Sequence, residues 1–248
     1  GWLKFTAPYS IGIDKIAPLL GEFHARHPEV RVELILSNEP LDLIGGEIDV
    51  ALRLGNLPDS NLVARRLGTL RTQVYAATSY LAKHGEPLHP NDLQHHRVMA
   101  MPKHRHGNNY HWTLNDGNGD QEFVVNPILV ANDPAALKGA LLCGEGVMIA
   151  ADVMVKPFVE MGVVQRVLAG WIGGEYELNA VFPRGHTQSP KVRAFVDFLL
   201  EHLNLEIDYM SAHCPLMMAK EAKHAHEQER DAEETAAVGL RILEAVTA

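Results

Sequence analysis

Arg53 is the side chain whose type and position most clearly offer chemistry. It ends the run Ile48-Asp49-Val50-Ala51-Leu52-Arg53, which is followed by Leu54-Gly55. That run is apolar and β-branched between turn residues, the pattern of a strand buried on both faces of a parallel sheet. In open α/β sheets, ligands collect at the carboxyl ends of the strands. A guanidinium there can grip a carboxylate through two parallel hydrogen bonds. The competing reading is a surface arginine paired with a neighbouring carboxylate.

The 14 histidines offer a second chemistry. His104, His106 and His111 lie within nine residues, and two ligands at i and i+2 on a strand share a face. His95 or His96 could add another. Lys103 and Arg105 interleave with them and would repel a cation, and no Cys or carboxylate is fixed nearby, so a solvated polar loop is the better reading. There is no Gly-x-Ser-x-Gly elbow, and no motif sets a Cys beside a His. Gly144-Glu145-Gly146 lacks the third glycine and preceding strand of a dinucleotide fingerprint. Cys143 reads as a core residue on an apolar helix face.

The elements that must position these residues follow from periodicity. Residues 3–8 read as a strand. Ser10 to about His27 reads as an amphipathic helix with Ile13, Ile16, Leu19, Leu20 and Phe23 on one face. Val30 to Leu36 reads as a second strand, Leu41 to Gly45 as a short helix, and Ile48 to Leu54 as a third strand. This order implies a doubly wound sheet with right-handed crossovers. Leu62 to Ala77 is strand-rich and long enough to cross into a second unit. There, Ser79 to His84 and Pro90 to His95 look helical and Arg97 to Met101 extended. A hairpin turns around Asn115-Asp116-Gly117-Asn118-Gly119. Asp133-Pro134 has the form of an N-cap and first helical residue, and that helix ends near Gly144. Val147 to Ala150 then reads as a buried strand, Asp152 to Met161 as a helix and Val163 to Val167 as a strand. Tyr176 to Phe182 crosses back, and Pro190 to Leu203 closes the first unit with Val192, Phe195, Val196 and Leu199 inward.

Composition narrows the function. The chain has 248 residues, 46% of them hydrophobic, with a net charge of -9 and no apolar run long enough for a membrane span. Two cysteines, Cys143 and Cys214, give no disulfide framework and suit a reducing compartment. The acidic balance argues against this chain gripping DNA itself, which requires clustered Lys and Arg. The tail, 205–248, carries 4 Lys and Arg against 9 Asp and Glu. Beyond Met217 it is rich in Ala, Glu and Lys, with Leu240, Ile242, Leu243 and Val246 left to bury. It reads as a solvated helix or partly disordered extension, or alternatively as a helix packing on a partner subunit.

The stretch Ile48-Asp49-Val50-Ala51-Leu52-Arg53-Leu54-Gly55, with Pro58-Asp59-Ser60 and Leu62-Val63-Ala64-Arg65-Arg66-Leu67-Gly68, resembles the effector-binding domain of LysR-type transcriptional regulators. Gly1 to Pro8, Leu19 to Val30, Tyr80 to Gly85, Pro90 to His96, Gly144 to Val147 and Lys191 to Phe195 match further segments in order. The resemblance covers about the first 204 residues. It implies an α/β chain of two Rossmann-like subdomains in the type II periplasmic-binding-protein fold, plus the C-terminal tail. The first subdomain would comprise 1–72 and 181–204, the second 73–180, and the tail 205–248. It also implies a winged helix-turn-helix upstream of Gly1, a homodimer of this domain through helix 10–27 and the 133–143 region, and a homotetramer at full length.

The resemblance places the ligand in the cleft between subdomains, held by loops at strand ends. These map to Tyr9 and Ser10 after the first strand, Ser37 and Asn38 after the second, Arg53 after the third, and Met101, Asn132 and Asp133 from the second subdomain. Ser10 could cap its helix or offer its hydroxyl to an anion. Asp133 caps its own helix, Tyr9 supplies a flat wall or simple packing, and Glu39 hints at a donor group on the ligand. The expected function is sensing of a small anionic effector by a cytoplasmic regulator, with no catalysis, cofactor or membrane. DNA would be bound only through the upstream domain. The alternative is a solute-binding protein of a transport system, which uses the same fold and cleft.

Overall fold

The computed structural model describes residues 1–39, 43, 47–55, 61–186, 189–205 and 215–247. β1 (Trp2–Ala7) alternates, with Leu3, Phe5 and Ala7 turned into a core. Phe5 and Phe23 both meet Phe195, with ring centroids 4.5 and 5.4 Å away. A helical run follows: α1 (Tyr9–Ile11), a π turn (Gly12–Ile16), a 3-10 turn (Ala17–Leu19) and α2 (Leu20–Arg26). Gly12 lets the run pack closely: a Cβ there would stand 2.3 Å from Leu36 Cδ2, so that leucine side chain would have to shift. The run was expected to turn Ile13 inward, but Ile13 is 49% exposed. The extra residue of the π turn rotates the face, so Ile11 is buried in place of Ile13, while Ile16 and Phe23 are buried as expected.

β2 (Arg31–Leu36) and β3 (Val50–Leu54) pair in parallel on either side of β1. The expected helix at 41–45 and the turn at 56–60 lie outside the described residues, apart from the buried Leu43. β4 (Leu62–Ala77) then runs for 16 residues into the second half of the molecule. That half contains α3 (Thr78–His84), β5 (Val98–Ala100), β6 (Arg105–His106), β7 (Asn109–Asn115) and β8 (Asp120–Val125). β9 (Pro127–Val130), α4 (Pro134–Leu142), β10 (Val147–Ala151), α5 (Asp152–Glu160) and β11 (Val164–Val167) complete it. β12 (Gly174–Pro183) crosses back, α6 (Pro190–His202) closes the first half, and α7 (Pro215–Thr247) forms the tail.

The order β2-β1-β3-β12-β4-β10-β5-β9 makes one continuous mixed sheet, with β11 also on β4. β12 and β4 pair antiparallel from Gly174 opposite Thr72 to Pro183 opposite Leu62, with an irregularity at Leu178/Asn179. β3 adds to the first-half end of this ladder, and β10 and β11 to the other. The result is the two-lobed α/β architecture of the periplasmic-binding-protein type. α1, α2 and α6 cover one face of the first lobe through Ile11, Phe23, Phe195 and Phe198. β6, β7 and β8 form a small sheet whose Trp112, Leu114, Phe123 and Val125 close a second core over Tyr80, Leu93 and Val98.

Two sequence expectations need further correction. β9 was not anticipated, being a four-residue edge strand with Ile128 and Val130 exposed. Cys143 is exposed and not in the core: α4 stops at Leu142, and Cys143 is the C-cap residue before Gly144 turns to φ +77°.

Gly146 packs so closely that a Cβ would stand 2.4 Å from the Arg97 carbonyl oxygen, which also accepts the Val147 N–H. Gly146→Ala should therefore lower unfolding stability by about 2–3 kcal/mol in urea denaturation. Gly139 in α4 is exposed, with nothing within 4 Å of its Cβ position. Gly139→Ala should raise stability by up to about 1 kcal/mol.

Candidate functional site

Parallel pairing sets Thr6 of β1 beside Ala51 of β3, and Arg53, two residues on, shares that face. Antiparallel pairing sets Asn179 of β12 directly opposite Arg53. Ala51 and Val181 on the same face pack with Leu43 and Ile48, so the polar trio borders an apolar cluster. Thr6 is fully buried and Asn179 is 7% exposed. The Thr6 hydroxyl and Arg53 Nη2 are both buried without a hydrogen-bond partner, and Arg53 makes no ion pair among the described residues. Burial pulls the Arg53 pKa below its ordinary value, yet a guanidinium remains charged at neutral pH.

A second set of expected residues meets where the lobes face each other. Asp133 caps α4 by accepting the Ala135 N–H at 2.7 Å through Oδ1. The same oxygen accepts the Ser10 hydroxyl at 2.9 Å, while Oδ2 accepts Asn38 Nδ2 at 2.9 Å. Asn38 Nδ2 also reaches the Asn132 carbonyl at 3.3 Å, and Asn38 Oδ1 accepts the Tyr9 N–H at 3.2 Å. Tyr9, Ser10 and Asn38 of one lobe thus converge on Asn132 and Asp133 of the other. Ser37 stands beside them in a turn, its hydroxyl accepting the Glu39 N–H at 3.1 Å. Asp14 and Lys138 add an ion pair between the helical run and α4. Nearby, burial lowers the Lys15 pKa, with Asp14 opposing and Lys156 and Lys138 reinforcing that shift.

Arg53 and Met101 share no hydrogen bond with this cluster. Met101 lies after β5, where its N–H donates to His104 Nδ1 at 3.1 Å. His104 was expected in a solvated loop but is half-buried, its ring 6.3 Å from that of Trp112. Among the described residues no group of three His, Cys, Asp or Glu is placed to hold a metal ion. His96 is structural, its Nδ1 sharing a hydrogen bond with the Tyr80 hydroxyl at 2.9 Å.

Sequence reasoning missed Asp152, which is 3% exposed where β10 gives way to α5. Its carboxylate accepts the Tyr75 hydroxyl at 2.6 Å and Gln73 Nε2 at 2.8 Å. Arg166 Nη1 donates to Gln73 Oε1 at 3.0 Å. Burial raises the Asp152 pKa, while those hydrogen bonds and the charges of Arg71 and Arg166 oppose the rise. The signal was available, since Asp152 follows an apolar run just as Arg53 ends one. Thr6 and Asn179 were also missed, each a single polar residue inside a strand. The arrangement offers hydrogen-bond donors and one unpaired cation, which suits binding and reversible rearrangement.

A family model described as LysR substrate binding domain matches residues 1–204. An HTH-type transcriptional regulator of Xanthomonas campestris pv. campestris is 59% identical over 257 aligned positions, covering 100% of this chain and 73% of that protein. The regulatory domain of CrgA, a LysR-type transcriptional regulator from Neisseria meningitidis, superposes with TM-score 0.74 at 30% identity, covering 82% of this chain and 99% of that one. Full-length AphB, a Vibrio cholerae virulence activator, gives TM-score 0.71 at 28% identity over 82% of this chain and 69% of that one.

Burial first, then the Lys103 and His106 charges, depresses the His104 pKa from 6.5 to about 4. The unfolded chain therefore binds the extra proton first, and stability is whole above pH 6.5 and falls as pH drops toward 4. Between pH 7 and pH 5, wild type should lose about 1–2 kcal/mol more than His104→Gln in paired urea denaturation curves.

Proposed function

The chain belongs to the LysR substrate-binding domain family, and on that premise we propose that it is the effector-binding and oligomerisation region of a LysR-type transcriptional regulator. The observation that carries the reading is the Asp133 carboxylate, held by Ser10 and Asn38 from the opposite lobe. A small molecule entering between the lobes must make, break or replace those bonds. It shifts the lobe equilibrium by its differential affinity for the two arrangements, typically about 1–3 kcal/mol. We assign 1–72 with 181–204 to one subdomain and 73–180 to the other, with Tyr9, Ser10, Ser37, Asn38, Arg53, Met101, Asn132 and Asp133 around the cleft.

The effector is anionic in this reading. Asp133 already fills the anion position at the α4 N-terminus, which leaves Arg53 as the cation awaiting a partner. DNA is bound through a winged helix-turn-helix outside this chain, in the cytoplasm, and no catalytic step is involved. Among the described residues no helix is long and apolar enough to cross a membrane. The solute-binding alternative is not favoured, since the similar proteins are named as transcriptional regulators.

Self-association is supported by exposed apolar residues on opposite lobes: Ile13 on the helical run, and Ile128 and Val130 on β9. β2 and β9 stand at the two ends of the sheet order. A side-by-side antiparallel pair would cover all three residues, and a full-length tetramer would be built from two such pairs.

Two measurements check this reading. The coding region immediately upstream of Gly1 should encode roughly ninety residues with helix-turn-helix spacing and a basic recognition helix; a short apolar signal peptide there would replace the reading with solute capture. Light scattering on the chain should give a dimer mass, and Ile128→Asp with Val130→Asp should give a monomer that remains folded by circular dichroism. A wild-type monomer at micromolar concentration would remove the dimer.

A further inference from the structure

We propose that Arg53, Thr6 and Asn179 form a carboxylate-binding subsite for the effector, with the Thr6 hydroxyl and the Arg53 guanidinium as its two donors. The proposal rests on the effector-binding reading above and deepens it. The three residues lie on adjacent strands, β1, β3 and β12, and strand register turns them to one face. Neighbouring strands are about 4.8 Å apart and Arg53 lies two residues beyond Ala51, the partner of Thr6, an offset that the long arginine stem is able to span. Extending the parallel register two residues sets Arg53 abreast of Pro8, where β1 gives way to the Tyr9–Ser10 segment. Arg53 therefore stands toward the carboxyl edge of the sheet, near the segment that reaches Asp133, while the Thr6 hydroxyl and Arg53 Nη2 are both closed to solvent in the free protein.

Buried polar groups are almost always satisfied; among the described residues only Thr6, Arg53 and, on β7 of the other lobe, His111 and Trp112 leave a buried side-chain atom without a partner. Thr6 and Arg53 lie on neighbouring strands of one sheet face, and the buried Asn179 stands directly opposite Arg53. A carboxylate supplies what both lack: one oxygen for the Thr6 hydroxyl, and two for the planar guanidinium fork. A neutral ligand would leave the guanidinium charge unbalanced.

The same geometry gives a signature visible without any ligand. Thr6→Val keeps the shape of the side chain and removes a hydroxyl that has no partner. It should therefore stabilise the free protein while weakening the subsite.

The test is a titration of the 248-residue chain with formate, the smallest carboxylate, against chloride at equal ionic strength. The readout is the Arg53 Nε–Hε resonance. Formate should shift it saturably and chloride should not. Thr6→Val should weaken formate binding about tenfold, the worth of one such hydrogen bond, and raise the unliganded Tm by about 2–4 °C. Arg53→Gln should abolish the response in other reporter resonances of the site, and Leu88→Ala, at an exposed position of the other lobe, should keep it. A formate response no different from that of chloride overturns the subsite, as does a Thr6→Val variant with lowered Tm and wild-type formate affinity. Loss of binding in Ser10→Ala but not in Thr6→Val would move the anion to the lobe junction and leave the effector reading standing. Saturable formate binding in a protein whose gene encodes no DNA-binding domain would separate the failure of that reading from the fate of the subsite.

Discussion

The β4–β12 ladder is the constraint on which the other elements depend. It is the structure's longest antiparallel pairing, and each lobe is assembled on one end of it. β3 extends it toward β1 and β2, while β10 and β11 flank the far end of β4. Because both lobes hydrogen-bond to the same two strands, a change in lobe angle must be absorbed as twist or bending along that ladder. The irregularity at Leu178/Asn179 falls there, and Asn179 is also the residue opposite Arg53. Bulged pairings bend and twist more readily than regular ones. On β12, the irregularity in the ladder thus borders the unpaired guanidinium.

The lobe junction is polar in a particular way. Asp133 satisfies the α4 N-terminus from within, and its second oxygen and the Ser10 and Asn38 groups close the gap to the other lobe. Each of these bonds is short-range and only partly buried, so each contributes modestly, about 0.5–1.5 kcal/mol net, with charge-assisted ones higher. Together with the Asp14–Lys138 ion pair, this is enough to prefer one lobe arrangement and too little to lock it. Asp152 contrasts with this junction. Its network with Tyr75, Gln73 and Arg166 is buried and fixes α5 to β4 within one lobe, where breaking a hydrogen-bonded buried carboxylate would be far more costly.

Much of this was legible in the sequence, and the exceptions have physical causes. Strand periodicity located β1, β2, β3, β10 and β11, and Asp133-Pro134 announced a capped helix because that capping is local and chemical. Ile13 was misplaced because a π turn changes the residue count per turn without any marker stronger than Gly12. Cys143 was misplaced because an apolar helix pattern does not reveal where the last turn unwinds; the glycine after it was the better guide. β9 is four residues long, too short for alternation to register. Among the site residues, Arg53 stood out because a charge ending an apolar strand is conspicuous, and Asp133 because it precedes proline. Thr6 and Asn179 were not legible, since a threonine in a strand is ordinary and only the register brings both to the guanidinium.

The unpaired donors bear on how stability is distributed between the lobes. A buried hydroxyl and a half-buried guanidinium without acceptors each lower the stability of the empty fold by about 1–3 kcal/mol. The first lobe can sustain that because its opposite face is closed by Phe5, Phe23, Phe195 and Phe198, whose rings pack at 4.5–5.4 Å. Large aromatic side chains bury enough area to offset such a loss several times over. The two faces of one sheet therefore divide the work: one supplies cohesion, and the other keeps a charge desolvated and unanswered. A desolvated cation attracts an anion far more strongly than a hydrated one, so the destabilised face is the one where a small ligand can change the free energy of the fold the most.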